Sequence, residues 1–134
     1  MKLEFAENEQ VELQVQGSHL KSFLNVIQGT FYLTNERIIF ARPNKAVRFW
    51  IPEAAGFITG TDAIFAHPYT QLVSAVIKKH GFAKKTTITF QSGESYDVQA
   101  MDHDKFMTTL RNLVIAANGD NVRDDGNGNF SVVH

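Results

Sequence analysis

The sequence predicts a mainly β fold: a curled antiparallel barrel of about seven or eight strands, capped by one C-terminal helix. Three observations carry this expectation. Apolar and polar residues alternate with period two early in the chain, as at Val11, Leu13 and Val15 against Glu12, Gln14 and Gln16. Turn residues interrupt such runs at short intervals through the first three-quarters of the chain. From Phe106 the period lengthens, and Leu110, Leu113, Val114 and Ala117 follow on one helical face.

Taken in order, the first strand ends at Gly17-Ser18-His19, which breaks the alternation. Phe23–Thr34 is rich in aromatic and β-branched residues, and Gly29 within it marks a bulge or a close backbone approach. Asn35-Glu36 separates Phe31-Tyr32-Leu33-Thr34 from Arg37-Ile38-Ile39-Phe40-Ala41, the pattern of a tight hairpin in which Asn tolerates positive φ. Phe31 and Leu33 are expected to face the core, with Thr30, Tyr32 and Thr34 outward or sideways. Arg42-Pro43-Asn44-Lys45 reads as a turn and Val47–Ile51 as a strand ending at Pro52. Glu53–Gly60 reads as an irregular excursion, with a short strand at Ala63–His67. Leu72–Lys79 and Thr86–Phe90 form a pair joined through His80-Gly81-Phe82-Ala83. Ser92-Gly93-Glu94 turns the chain into a last strand at Tyr96–Ala100.

The helix is expected over about residues 102–118, with Asp102 as N-cap, Asp104 favouring the positive end of the dipole and Gly119 just past the end. Phe106, Leu110 and Leu113 should be buried. An antiparallel sheet must cover its open face, and one amphipathic helix after the last strand does so. Residues 1–118 read as a single domain. Residues 119–134 are rich in Asn, Asp and Gly and read as a tail, partly mobile or turned at Asp125–Gly128 into a short added strand.

Composition narrows the function classes. The chain has 134 residues, enough for one domain with a real core, and 43% of them are apolar. A net charge of −1 removes a bulk electrostatic case for nucleic acid or an anionic membrane and leaves only local basic patches. Without cysteine there is no disulfide framework, thiol nucleophile or thiolate metal site. No stretch approaches the ~20 apolar residues of a spanning helix, and the N-terminus lacks a signal-peptide core. A soluble cytoplasmic protein is expected.

The block Gly29-Thr30-Phe31-Tyr32-Leu33-Thr34-Asn35-Glu36-Arg37-Ile38-Ile39-Phe40 resembles the signature hairpin of GRAM domains. Pro68-Tyr69 before Leu72–Ile77, then Thr86–Phe90, Ser92–Tyr96 and the closing helix, follow that family's order. The resemblance spans about residues 9–118 and implies a pleckstrin-homology-like fold. The same block also has a purely structural reading, with core-facing Phe31 and Leu33, a turn at Asn35, and Arg37 placed to cap or pair locally.

Lys78-Lys79-His80-Gly81-Phe82-Ala83-Lys84-Lys85 is the most suggestive stretch for function. It gathers four lysines and one aromatic at a hairpin tip, so Lys78, Lys79, Phe82, Lys84 and Lys85 are the candidate lipid- or partner-binding residues. Read structurally, the lysines only keep the hairpin edges from pairing. Arg42, Lys45 and Arg48 beside Phe49 and Trp50 form a weaker group, and the balanced charge argues against nucleic acid. Asp102-His103-Asp104 cannot converge on one metal, because consecutive helical residues diverge by ~100°. A calcium loop through Gly126 would need carboxylates where Arg123 and Val132 stand. No P-loop, nucleophile elbow or dinucleotide fingerprint occurs, and Ser18-His19 has no placed acid partner.

The resulting expectation is a non-catalytic module without metal or cofactor. It acts as a protein-interaction or self-assembly adaptor, through a strand edge or the Glu53–Ala66 excursion. The alternative is a peripheral membrane module using the Lys78–Lys85 hairpin.

Overall fold

The computed structural model describes residues 2–22, 25–43, 57–80 and 83–134. Period-two segments become strands: β1 (Lys2–Glu4), β2 (Val11–Ser22), β3 (Asn25–Thr34), β4 (Arg37–Pro43), β5 (Phe57–Pro68), β6 (Leu72–His80), β7 (Ala83–Phe90) and β8 (Ser95–Ala100). Helix α1 (His103–Asn118) follows, and then β9 (Val122–Asp124) and β10 (Phe130–Val132). All pairings are antiparallel, in one sheet ordered β1-β5-β4-β3-β2-β8-β7-β6-β10-β9. The expected mainly antiparallel sheet with one helix near the C-terminus is what forms, but the hydrogen-bonded ladder does not close. It leaves β1 and β9 at its edges.

Several local expectations change. There are ten strands among the described residues rather than seven or eight, because three-residue strands at each end carry too little pattern to read. β2 runs straight through Gly17-Ser18-His19. A Cβ at Gly17 would lie 2.3 Å from the Gln99 carbonyl oxygen and 2.4 Å from the Phe31 ring, so glycine there permits packing instead of ending a strand. Gly29, directly opposite, is the close approach anticipated, with a Cβ there 2.5 Å from the Ala41 carbonyl oxygen. Phe57–Gly60 belongs to β5 rather than to an irregular excursion. The Val47–Ile51 strand, Trp50 and half of the turn at 42–45 lie outside the described residues, since Arg42 and Pro43 themselves end β4.

Helix α1 starts after Asp102, whose carboxylate accepts the Lys105 backbone N–H at 3.4 Å, and stops at Gly119 with φ of 62°. Its buried residues are Phe106, Met107, Leu110 and Val114. Leu113 is only half-buried and Ala117 is exposed, so the docked face is rotated toward Met107. The core lies between this face and the concave side of the sheet, where Phe31, Leu33, Ile38, Phe40 and Ile88 are fully enclosed.

Tyr32 and Thr34 are buried rather than outward-facing. Phe5, Val11, Ala63 and Ala66 cover the outer side of β3–β4 and form a second apolar cluster with Tyr32, Ile39 and Ala41. Thr34 is enclosed for a polar reason. Its hydroxyl reaches Glu9 Oε2 at 2.6 Å and accepts the Glu36 and Arg37 backbone N–H groups. The hydroxyl of Tyr69, in the 3-10 turn Tyr69–Gln71, donates between the Thr34 and Arg37 carbonyls at 2.7 and 2.8 Å. Asn35 does not take positive φ. Its side chain instead accepts the Gln10 N–H and donates to the Asn8 carbonyl. The Thr-Asn-x-Arg stretch is therefore a clamp that fastens the β3–β4 turn to residues 8–10.

Of the two forms expected for residues 119–134, the strand form is present. β10 pairs with β6 and β9 pairs with β10, while Phe130 and Val132 enter the main core.

Candidate functional site

The β6–β7 hairpin positions the candidate lysines by register. Lys78 stands opposite Lys85, and Lys79 opposite Lys84. Alternation along β7 then sends Lys84 and Lys85 to opposite faces of the sheet. The strands reach nearer the tip than the sequence suggests, so that all four lysines lie on strands; Gly81 and Phe82 fall outside the described residues. Like charges directly opposed across an antiparallel pair repel.

The two β7 lysines meet different surroundings. On one face Lys85 Nζ lies 3.4 Å from Asp97 Oδ2, and the Thr87 hydroxyl donates to Asp97 Oδ1 at 2.5 Å. Burial works to raise the Asp97 carboxyl, but the Thr87 hydrogen bond and the charges of Lys85 and Lys78 outweigh it and hold the group below its usual range. Lys78 itself is exposed. Toward the other face, exposed Lys84 lies near His103 at the start of α1. Burial lowers the His103 pKa, and the Lys84 charge adds to the effect.

Beside Lys84 runs a groove of 630 Å³ over β8, β2 and β3, lined by polar Gln16, Ser18, Gln28, Thr30 and Gln99 together with Ala100, Met101 and two glycines. Ser18 pairs with Gln99 on one side and Gln28 on the other, which sets amide and hydroxyl groups in a row across three strands. Ser18 Oγ donates to Gln28 Oε1 at 3.1 Å.

A histidine–aromatic cluster has no signature in the sequence. It spans from β5 to β7 and β8, neither of which pairs with β5. Phe65 stacks on Tyr96 with centroids 3.9 Å apart, and His67 stacks on Phe90 at 4.1 Å. His67 Nε2 lies 2.9 Å from the Tyr96 hydroxyl and 3.2 Å from Glu94 Oε2, and Tyr96 donates to the same carboxylate. His19 closes the cluster edge-on to Phe40, Phe65 and Tyr96, buried, with Nδ1 unpartnered. Burial and the Lys21 charge lower its pKa, against a smaller opposing effect of Asp97. No motif spacing could reveal residues 19, 67, 94 and 96 together, because only the topology joins them. Among the described residues no serine or threonine hydroxyl bonds either imidazole, and no three His, Asp or Glu side chains form a metal-binding group.

Comparison with solved structures bears on the fold. The chain matches the N-terminal PH domain of Vps36 with a TM-score of 0.54 over 87% of this chain and 93% of that one, at 16% identity. The fold is pleckstrin-homology-like. The C-terminal domain of an unknown protein from Leishmania infantum matches with a TM-score of 0.59 at 10% identity, over 80% and 85% of the two chains. The linker-DH/PH structure of p115-RhoGEF matches at 0.57 and 5% identity, over 83% of this chain but 30% of that one. No family model matches the chain, and no curated protein matches it by sequence. Within the PH-like sheet, β5 has β4 on one side and β1 on the other, so the described part of the Glu53–Ala66 segment already carries a ladder on each side. No helix among the described residues is long and apolar enough to cross a membrane.

Proposed function

We propose that this chain is a non-catalytic binding module of GRAM-like, pleckstrin-homology-like type whose working surface is the β6–β7 hairpin, offered to an anionic membrane surface. One observation carries the reading: two cross-strand lysine pairs are held in register at one hairpin end, with Asp97 taking up the charge of Lys85. An anionic surface relieves the repulsion built into that arrangement. Each lysine near such a surface contributes about 1 kcal/mol, so the four set a ceiling of about 4 kcal/mol, roughly a thousandfold in partitioning. Edge-strand pairing with a protein partner has weaker support, because among the described residues both sheet edges are three-residue strands, a length that discourages pairing.

Sedimentation with vesicles tests this. The protein is expected to co-sediment with vesicles containing phosphatidylserine and to stay in solution with phosphatidylcholine alone. Replacing Lys78, Lys79, Lys84 and Lys85 with Gln should abolish sedimentation while leaving the thermal midpoint near wild type. Equal sedimentation of the folded variant and wild type would overturn the proposal.

A further inference from the structure

We infer that the hairpin β9–β10 is an exchangeable element, which fills an acceptor edge on β6 in its own chain and fits the same edge of a second copy. The hairpin is self-contained. Asp125 Oδ1 accepts the Asn127 and Asn129 N–H groups at 2.7 and 3.2 Å, and Gly126 and Gly128 take the positive φ values the turn needs. It is attached to the rest of the fold at α1, where Arg111 donates two hydrogen bonds to the Asp124 carboxylate at 2.7 and 2.6 Å, and along β6. Phe130 and Ser131 pair with Ala75 and Ser74, Asn129 Oδ1 accepts the Ile77 N–H at 2.7 Å, and the His134 ring donates to the Leu72 carbonyl. Phe130 and Val132 are 2% and 6% exposed within the main core.

Removing the hairpin would open the β6 backbone at these positions and leave two core side chains missing. The acceptor is therefore both a strand edge and a pair of apolar sockets, complementary to a Phe-x-Val strand. A second copy supplies that strand by identity. Every contact between hairpin and acceptor is the same in cis and in trans, so only the connection differs. That connection is the 3-10 turn Gly119–Asn121, which buries no residue. It opens on Gly119 at φ 62° and ψ −129°, a backbone state that suits glycine. Reciprocal exchange gives a two-fold dimer that presents two β6–β7 hairpins. The exchange itself does not depend on what those hairpins bind.

The chain has no cysteine, so introduced thiols report the seating of the hairpin without interference. Ser74 and Ser131 are opposed in register, and opposed residues on antiparallel strands lie about 4.5–5.5 Å apart, within disulfide range. The S74C and S131C single variants, unfolded together and refolded at high concentration, should yield a dimer fraction whose main oxidised product is an interchain 74–131 bond. The S74C/S131C double variant should close the same bond within the monomer. Gly119→Val, which penalises the closed connection, should raise the dimer fraction several-fold. A mixture that stays monomeric, dimers joined only through 74–74 or 131–131 bonds, a double variant that closes no intrachain bond, or a dimer fraction unmoved by Gly119→Val would each overturn the inference.

Discussion

Arg37 grips Glu9 with two prongs, Nε to Oε2 at 2.8 Å and Nη2 to Oε1 at 3.1 Å, around a carboxylate side chain that solvent does not reach. Thr34 and the Ala6 N–H complete the carboxylate's partners. Breaking one side of a buried pair strands the other charge, so Arg37→Met should lower stability by about 3 kcal/mol in denaturant melts.

The same pair sets an acid response. Burial alone would raise the Glu9 pKa, but the hydrogen bonds from Arg37 and Thr34 prevail and lower it. A carboxyl lowered in the folded state adds stability above its unfolded pKa of about 4.5, and that stability is lost as pH falls through the folded value. The Glu9→Gln variant should be less stable near neutrality and show a flatter loss of stability below about pH 4.5, measured by melts across pH.

His19 acts at milder pH. Its imidazole is buried with Nδ1 unpartnered, and burial and Lys21 lower its pKa. Stability from the neutral ring is present above about pH 6.5 and lost as pH falls through the lower folded value. Among its charged neighbours Lys21 opposes protonation and Asp97 favours it. His103, also lowered, adds a loss of the same sign. His19→Leu should reduce the stability lost between about pH 7 and pH 5, leaving the His103 share.

The Phe65–Tyr96 stack joins parts of the sheet that no ladder connects. Phe65→Ala should cost about 3–5 kcal/mol, whereas Tyr96→Phe keeps the ring and loses only contacts at the exposed rim, about 1 kcal/mol or less. Equal losses from the two variants in denaturant melts would place the energy in the hydroxyl rather than in the stack.

The sequence disclosed those features whose pattern is local. Phe106, Leu110 and Val114 repeat on one face, so α1 could be read to its N-cap; the turn at Asn35-Glu36 and the lysine-rich hairpin follow from short spacing alone. Alternation points Tyr32 outward because it assumes one solvated face, whereas Phe5 and Val11 pack over that face. Gly17 resembled a break because its neighbours Phe31 and Gln99 are distant in the chain. The strand form of residues 119–134 depends on β6 offering an edge, which no pattern within those residues contains.

The most direct test of the account is vesicle binding as a function of salt. If the β6–β7 lysines carry the attraction, binding to phosphatidylserine-containing vesicles should weaken steadily as salt rises from about 0.05 to about 0.5 M and the Debye length shortens. Replacing Lys78 and Lys84 with Gln should weaken binding and flatten that dependence. Binding that is absent at the lowest salt, or that stays constant across the range, would contradict the account.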